Sequence, residues 1–209
     1  MAFSPFVYRF ACTAILATVT GLAGFSAAQA RTLKVNDWLI VPGKRFGPIT
    51  ARTSEKQLIR IFGRRNVIRK KSQQTGDHQP ERVIVVYPGT KNEIEIFWKK
   101  AYSRISLITT YGKGGKWRTR RGLRIGSTMA SVVRANGKPV GIAGFWWDYG
   151  GYGAWNKGRL HRDLIIRLEP SVTLPSKESD KISGERQLKS SDRLVKKAKP
   201  LVSKISLSF

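Results

Sequence analysis

The sequence predicts an α+β fold made of two tandem units, each a short strand, a capped helix and an antiparallel β-meander. The first observation is a helix pattern that occurs twice at a constant offset of 74 residues, from Ser54 to Thr128. The second is that alternating apolar segments follow each copy. The third is that 41% of the 209 residues are hydrophobic, which suffices for a packed core and excludes a disordered polycation even at a net charge of +26.

The first copy has a helix start and a helix stop. Thr53 or Ser54 can satisfy the free backbone amides at the start, and Ser54 with Gln57 has the spacing of a capping box. Gly63 can take the left-handed conformation that commonly ends a helix. Between them lies a helical stripe of apolar residues, namely Leu58, Ile61 and Phe62.

The second copy repeats this arrangement. Ser127 is the predicted cap, and Gly137 followed by Pro139 is the predicted stop. The apolar stripe consists of Met129, Val132 and Val133. At this offset the cap residues match, and so do Leu58 with Val132, Ile59 with Val133, Arg60 with Arg134 and Gly63 with Gly137. The sequence therefore predicts a duplication with a first unit at 31–112 and a second at 113–209.

Strand patterns follow each helix. Val-rich and alternating segments after the first helix predict strands at 82–87, 94–98 and 105–110. After the second helix, Gly150-Gly151 predicts a hairpin between 141–149 and 152–157, and the strands continue at 163–169. The Ser-, Lys- and Asp-rich stretch 171–192 is expected to be an exposed loop, and 202–209 alternates as a closing strand.

The first thirty residues have the layout of a secretory signal peptide. Arg9 precedes an uncharged run, Phe10 to Phe25, and Ala28-Gln29-Ala30 has the pattern of a cleavage site. Cleavage near Ala30 predicts a periplasmic or secreted protein and removes Cys12, the single cysteine. The remaining chain is expected to have no disulfide and no transmembrane span.

Basic residues concentrate after residue 112 without an intervening acid. As an extended segment, Lys116, Arg118 and Arg120 would line one face, where guanidinium groups can bind phosphate or carboxylate. The alternative is a solvated surface on a protein from an organism with a basic proteome. The candidate binding residues of this cluster are Lys116, Arg118, Arg120, Arg121 and Arg124. A second basic cluster follows the first helix and consists of Arg64, Arg65, Arg69, Lys70 and Lys71.

An aromatic segment lies within 144–155. In a strand, Phe145, Trp147 and Tyr149 would share one face, and Trp146 and Asp148 the other. One face would enter the core, which makes Trp146 the best candidate for an exposed aromatic residue. The functional interpretation is a platform for a sugar ring or a partner side chain, and the alternative is ordinary sheet packing. The candidate binding residues here are Trp146, Asp148 and Tyr149.

A capped helix ending in Gly-x-Pro, as in Ser127 to Pro139, followed by a meander resembles the SmpA/OmlA-type outer-membrane assembly lipoproteins. Two such units in tandem resemble the architecture of the β-lactamase inhibitor protein. The whole chain also resembles a group of uncharacterised secreted bacterial proteins, through 46–50, 144–151 and 200–202. The first two resemblances imply binding modules without catalysis. The lipidated Cys of the assembly factors has no counterpart, and no inhibitory residue carries over.

The leading hypothesis is therefore an exported, non-enzymatic binding protein with a basic surface. Its expected partner is an anionic envelope polymer or an acidic protein, and no catalytic residue, cofactor or metal is predicted. The alternative is a cell-wall or polysaccharide hydrolase that uses Asp148, or the paired carboxylates Glu93 and Glu95, beside the aromatic segment. Export argues against intracellular nucleic acid as a partner, although extracellular DNA fits the charge.

Overall fold

The computed structural model describes residues 36–71, 82–99 and 104–209. The predicted signal peptide, 1–30, lies outside these residues. All described residues belong to one compact unit, Thr32–Phe209. Within the described ranges no helix combines the length and the apolar character that crossing a bilayer requires.

The predicted α+β class is confirmed. The α-helices are α1 (Glu55–Phe62), α2 (Met129–Asn136), α3 (Ser176–Ser179) and α4 (Arg193–Ala198). The strands are β1 (Leu39–Val41), β2 (Arg45–Phe46), β3 (Val67–Lys71), β4 (Arg82–Val86), β5 (Ile94–Lys99), β6 (Arg104–Thr110), β7 (Arg118–Thr119), β8 (Gly141–Ala143), β9 (Gly153–Ala154), β10 (Leu164–Glu169), β11 (Gln187–Lys189) and β12 (Leu201–Ser208).

The largest sheet is antiparallel and has six strands in the order β10-β12-β6-β5-β4-β3. Strands β3 to β6 precede the predicted boundary at residue 112, whereas β10 and β12 follow it. They meet where β6 pairs with β12, with Thr110 opposite Ile205. The repeat of two complete units is therefore not shown, because strands from both halves share one sheet. Two small sheets, β2-β1-β7 and β11-β8-β9, complete the fold.

Alternation along the strands places the core on one face of the large sheet. Ile84 lies opposite Ile96, and Ile96 lies opposite Ile108, with all three side chains fully buried. Leu58 of α1 and Val132 of α2 belong to the same apolar cluster. The apolar stripes predicted for the two helices therefore face the core.

The first helix has the capping predicted for it. The Gln57 amide donates to Ser54 Oγ at 3.3 Å, and the Ser54 amide donates to Gln57 Oε1 at 2.7 Å. This is a complete capping box. Gly63 ends the helix at φ 87° and ψ 144°, so its φ is positive as expected, but its ψ lies outside the left-handed helical region.

The predicted cap of the second helix is wrong by one residue. Thr128 is the N-cap, and its Oγ1 accepts from the Ser131 amide at 3.2 Å. The Ser127 hydroxyl instead accepts from the Arg124 amide at 3.0 Å and closes the turn before the helix. Both residues can cap, so only the backbone path decides between them. Gly137 ends the helix in the left-handed conformation, as predicted.

The expectation of an exposed loop at 171–192 is wrong. The stretch contains α3, a 3₁₀ turn and β11, and it buries Leu174, Ile182 and Leu188. Leu188 lies opposite Ile142, so β11 extends the small sheet of β8. Its apolar residues are too widely spaced to produce a helical or strand period, and the segment is ordered by contacts with distant strands.

Candidate binding cleft beside the second helix

A cleft of about 850 Å³ lies between the chain at 113–128 and helix α2. Its described lining contains no Asp or Glu. It contains five cations, each with an exposed side chain, which are Lys113, Arg120, Arg121, Arg124 and Arg134. We call the depression lined by these five cations the basic cleft.

Two buried side chains anchor the loop that forms one wall of the basic cleft. Trp117 is buried, and its Nε1 donates to the Asn92 carbonyl at 2.9 Å. Leu123 is also buried, and its amide donates to Thr119 Oγ1 at 3.1 Å. Gly122, at φ 78°, turns the chain between these anchors. Because the apolar residues point inward, the arginines between and beside them remain at the surface.

The other wall is the exposed side of α2. The Arg134 guanidinium donates to Ser131 Oγ at 3.3 Å, on the same side of the helix as the cleft. Two of the first three amides of the helix already have partners, since the Met129 amide donates to the Pro200 carbonyl at 3.0 Å and the Ser131 amide is capped by Thr128. The basic cleft therefore presents mainly guanidinium and ammonium groups.

The charges of the basic cleft are not neutralised by the described part of the protein. Within the described part of the chain, the ion pairs lie outside the cleft, and their acids are Asp37, Glu55, Asp163 and Glu178. None of them involves Arg120, Arg121 or Arg124. Clustered like charges raise the local potential and attract anions, and the attraction falls as salt is added.

The structure divides the row of cations that the sequence predicts. Arg120, Arg121 and Arg124 line the basic cleft, but Lys116 and Arg118 do not. The Lys116 ammonium lies 5.2 Å from the centroid of the Trp38 ring, a cation–π arrangement. Arg118 is exposed on β7, and its amide donates to the Trp38 carbonyl at 3.1 Å.

Two of the five cations that line the basic cleft, Lys113 and Arg134, are not among the candidate residues predicted from the sequence. Lys113 lies at the start of the same basic run, so the density of positive charge along the chain indicates it. Arg134 lies on α2 and enters the cleft because that helix packs beside the loop. No local pattern links Arg134 to a loop that precedes it in the chain.

The assignment of alternating faces in the aromatic segment is wrong, because residues 144–152 do not form a strand. Strand β8 ends at Ala143, and Trp146 has a φ of 58°. Trp146 is nevertheless exposed, at 55% of its full accessibility, and Tyr149 at 69%. Asp148 is exposed between them, and none of the three lines the basic cleft.

Glu95 lies on the face of the sheet opposite the main core, where it pairs with Val85 and Thr109, and Glu93 lies in the turn just before β5. Burial raises the pKa of the Glu95 carboxyl above its ordinary value, and the nearby Glu93 carboxylate raises it further. The Glu93 carboxylate accepts from the Gly89 amide.

Among the described residues no group of three His, Cys, Asp or Glu side chains could hold a metal ion.

No protein-family model, curated protein or solved structure matches this chain. The resemblance to outer-membrane assembly factors and to the β-lactamase inhibitor protein therefore stays a prediction.

Proposed function

We propose that the protein is an exported, non-enzymatic binding protein of the bacterial envelope that holds an anionic envelope component in its basic cleft. The observation that carries this proposal is the convergence of four arginines and a lysine around about 850 Å³ without a lining acid. The signal peptide predicted from the sequence supports the location. An anionic polymer or an acidic protein has the charge that the cleft requires.

Charge complementarity between the basic cleft and an anion supports the proposal. Like charges gathered on one surface repel one another, so their convergence raises the free energy of the protein without a ligand. An anion relieves this repulsion and can accept paired hydrogen bonds from a guanidinium group. The volume falls within the range of natural ligand sites. The attraction should be long-ranged and sensitive to salt.

Binding of fluorescent long-chain polyphosphate tests the role of the cleft. We expect Arg120→Gln/Arg121→Gln/Arg124→Gln to weaken binding at low salt on the order of tenfold. The matched control is Arg64→Gln/Arg65→Gln/Lys70→Gln, which removes the same charge from the second basic cluster and should change affinity by about twofold. Equal losses in the two variants would mean that net charge binds the anion and the cleft does not.

Cell fractionation tests the location. Tagged protein in its own cells should be recovered with the envelope at low salt and released by high salt, because salt screens surface charges. Recovery in the cytoplasm would contradict export. Retention on the envelope at high salt would contradict binding by charge.

One observation favours the hydrolase as a second candidate function. The raised pKa of Glu95 is a property that a general acid requires near neutral pH. If the protein cleaves cell-wall polysaccharide, Glu95→Gln should abolish the cleavage while the protein stays folded. Glu93→Gln should retain part of the activity and lower the pH at which it is lost, because the repulsion that raises the Glu95 pKa is removed. Purified protein without such activity would eliminate this candidate.

A further inference from the structure

An apolar groove of about 840 Å³ lies beside the basic cleft. Thr128, the N-cap of α2, and Arg134, in its last turn, line both, so the two depressions adjoin along this helix. The apolar lining of the groove comes from both ends of the second predicted unit and consists of Met129, Ala130, Val133, Pro139, Pro200 and Leu201.

Each wall of the groove carries positive charge. Arg134 lies on the α2 side, and Lys196 and Lys199 lie on the opposite side, where α4 leads into β12. Both lysines are exposed, and neither forms an ion pair with an acid among residues 36–71, 82–99 and 104–209. The floor is therefore apolar, while cations stand on both sides of it and continue into the basic cleft.

We infer that the groove and the basic cleft together dock an acidic, amphipathic segment of a partner protein. Apolar side chains of the segment would occupy the groove, and its carboxylates would face the cations on both walls and in the cleft. This inference rests on the proposed function, since it names the class of anion that the cleft receives.

The arrangement of apolar and charged residues distinguishes this partner from other anions. A polyphosphate or a nucleic acid backbone offers charge but nothing apolar to fill the groove. A lipid with a single acidic headgroup needs cations at one end of its chain, whereas here they lie on both walls. A peptide carries several carboxylates spaced around its apolar side chains, which matches the observed distribution.

A designed probe peptide tests the inference. The probe is a labelled helix-forming peptide of Leu and Glu, with leucines at i, i+3, i+4 and i+7 so that they form one face. Its matched control has the same composition, with leucines spread around the helix. We expect the amphipathic probe to bind on the order of tenfold tighter, because only its leucines can be buried together. Equal affinity for the two peptides overturns the inference.

Two variants locate the bound peptide. Ala130→Glu adds a carboxylate to the groove at an exposed position in the first turn of α2, and it should remove the preference for the amphipathic probe. The matched control is Gln57→Glu, which adds the same charge to the first turn of α1 and keeps a capping-box residue. Lys196→Gln, on the opposite wall, should weaken the probe about threefold. Loss of the preference in Gln57→Glu as well would overturn the location.

The outcomes separate this inference from the proposed function. If polyphosphate binds the cleft but neither peptide prefers the groove, the inference fails and the proposed function stands. If no anionic probe binds, both fail. Monomeric decyl phosphate is the remaining arm: binding tighter than that of the amphipathic probe, together with loss in Ala130→Glu, would make the groove a lipid site and overturn the peptide assignment.

Discussion

Helices α1 and α2 have the same length and the same spacing from cap to stop, yet their electrostatic surroundings differ. The first turn of α1 contains Glu55, which pairs with Arg69 of β3 beside a pocket of about 550 Å³. The first turn of α2 contains no acid, and the cations around it form the basic cleft. Two similar local sequences thus make two similar helices. The chain packed beside each helix decides whether an acid pairs with one of the nearby cations, as Glu55 does with Arg69, or whether no acid lines the site.

The last residue of each helix shows a second difference. Phe62 ends α1 as a buried ring whose centroid lies 5.4 Å from that of Tyr87. Asn136 occupies the corresponding position of α2 and is also fully buried. Its amide nitrogen donates to the carbonyls of Lys138 and Trp155, each at 3.0 Å, and its oxygen accepts from the Leu160 amide at 3.3 Å. The last residue of α1 is thus held by apolar packing, and the last residue of α2 by hydrogen bonds to loops.

Replacement of these two residues should produce the largest effects. Phe62→Ala leaves a cavity in the core and should lower the free energy of unfolding by about 3–5 kcal/mol. Asn136→Ala leaves buried backbone groups without partners and should lower it by about 1–3 kcal/mol. Urea denaturation measures both, with the exposed Arg60→Ala as a control expected within about 0.5 kcal/mol. A smaller cost for Phe62→Ala than for Asn136→Ala would reverse the comparison.

The glycines that end the helices should differ by less. Gly63, at φ 87° and ψ 144°, lies close to a region that only glycine adopts readily, so Gly63→Ala should cost about 1–3 kcal/mol. Gly137, at φ 74° and ψ 3°, is in the left-handed region, where alanine costs about 1 kcal/mol. A Cβ at Gly137 would also meet the side chain of Arg159, which is flexible enough to move. Thermal denaturation should give the lower melting temperature for Gly63→Ala, and the opposite order would show that packing outweighs backbone conformation.

The smallest predicted effects concern charge and differ in sign. Arg124→Gln relieves repulsion in the basic cleft and should raise the free energy of unfolding at low salt by about 0.2–0.5 kcal/mol. Arg69→Gln removes the pair with Glu55 and should lower it by about 0.2–1 kcal/mol. Both differences should shrink in high salt, because the groups are near the surface. Changes of the same sign would remove the electrostatic contrast between the two helices.

Sequence patterns predicted the features that depend on neighbours along the chain. The capping box of Ser54 and Gln57, the apolar stripes of both helices and the alternation of β5 and β12 follow from periods and caps that a few consecutive residues encode. The exposure of Trp146 was also predicted, although the argument from alternating faces was wrong. Where two adjacent residues could cap, as with Ser127 and Thr128, the local pattern did not distinguish them.

Long-range contacts account for what the patterns missed. Strand β11 forms because Leu188 pairs with Ile142, far away along the chain, and Arg134 joins the basic cleft because α2 packs beside the loop that precedes it. The same packing leaves Lys116 against Trp38, outside the cleft. Composition therefore predicted a basic surface. The spacing of the apolar residues and the capping residues predicted the helices beside it. The choice of which cations converge required the folded chain, because convergence depends on distances in space that no local period encodes.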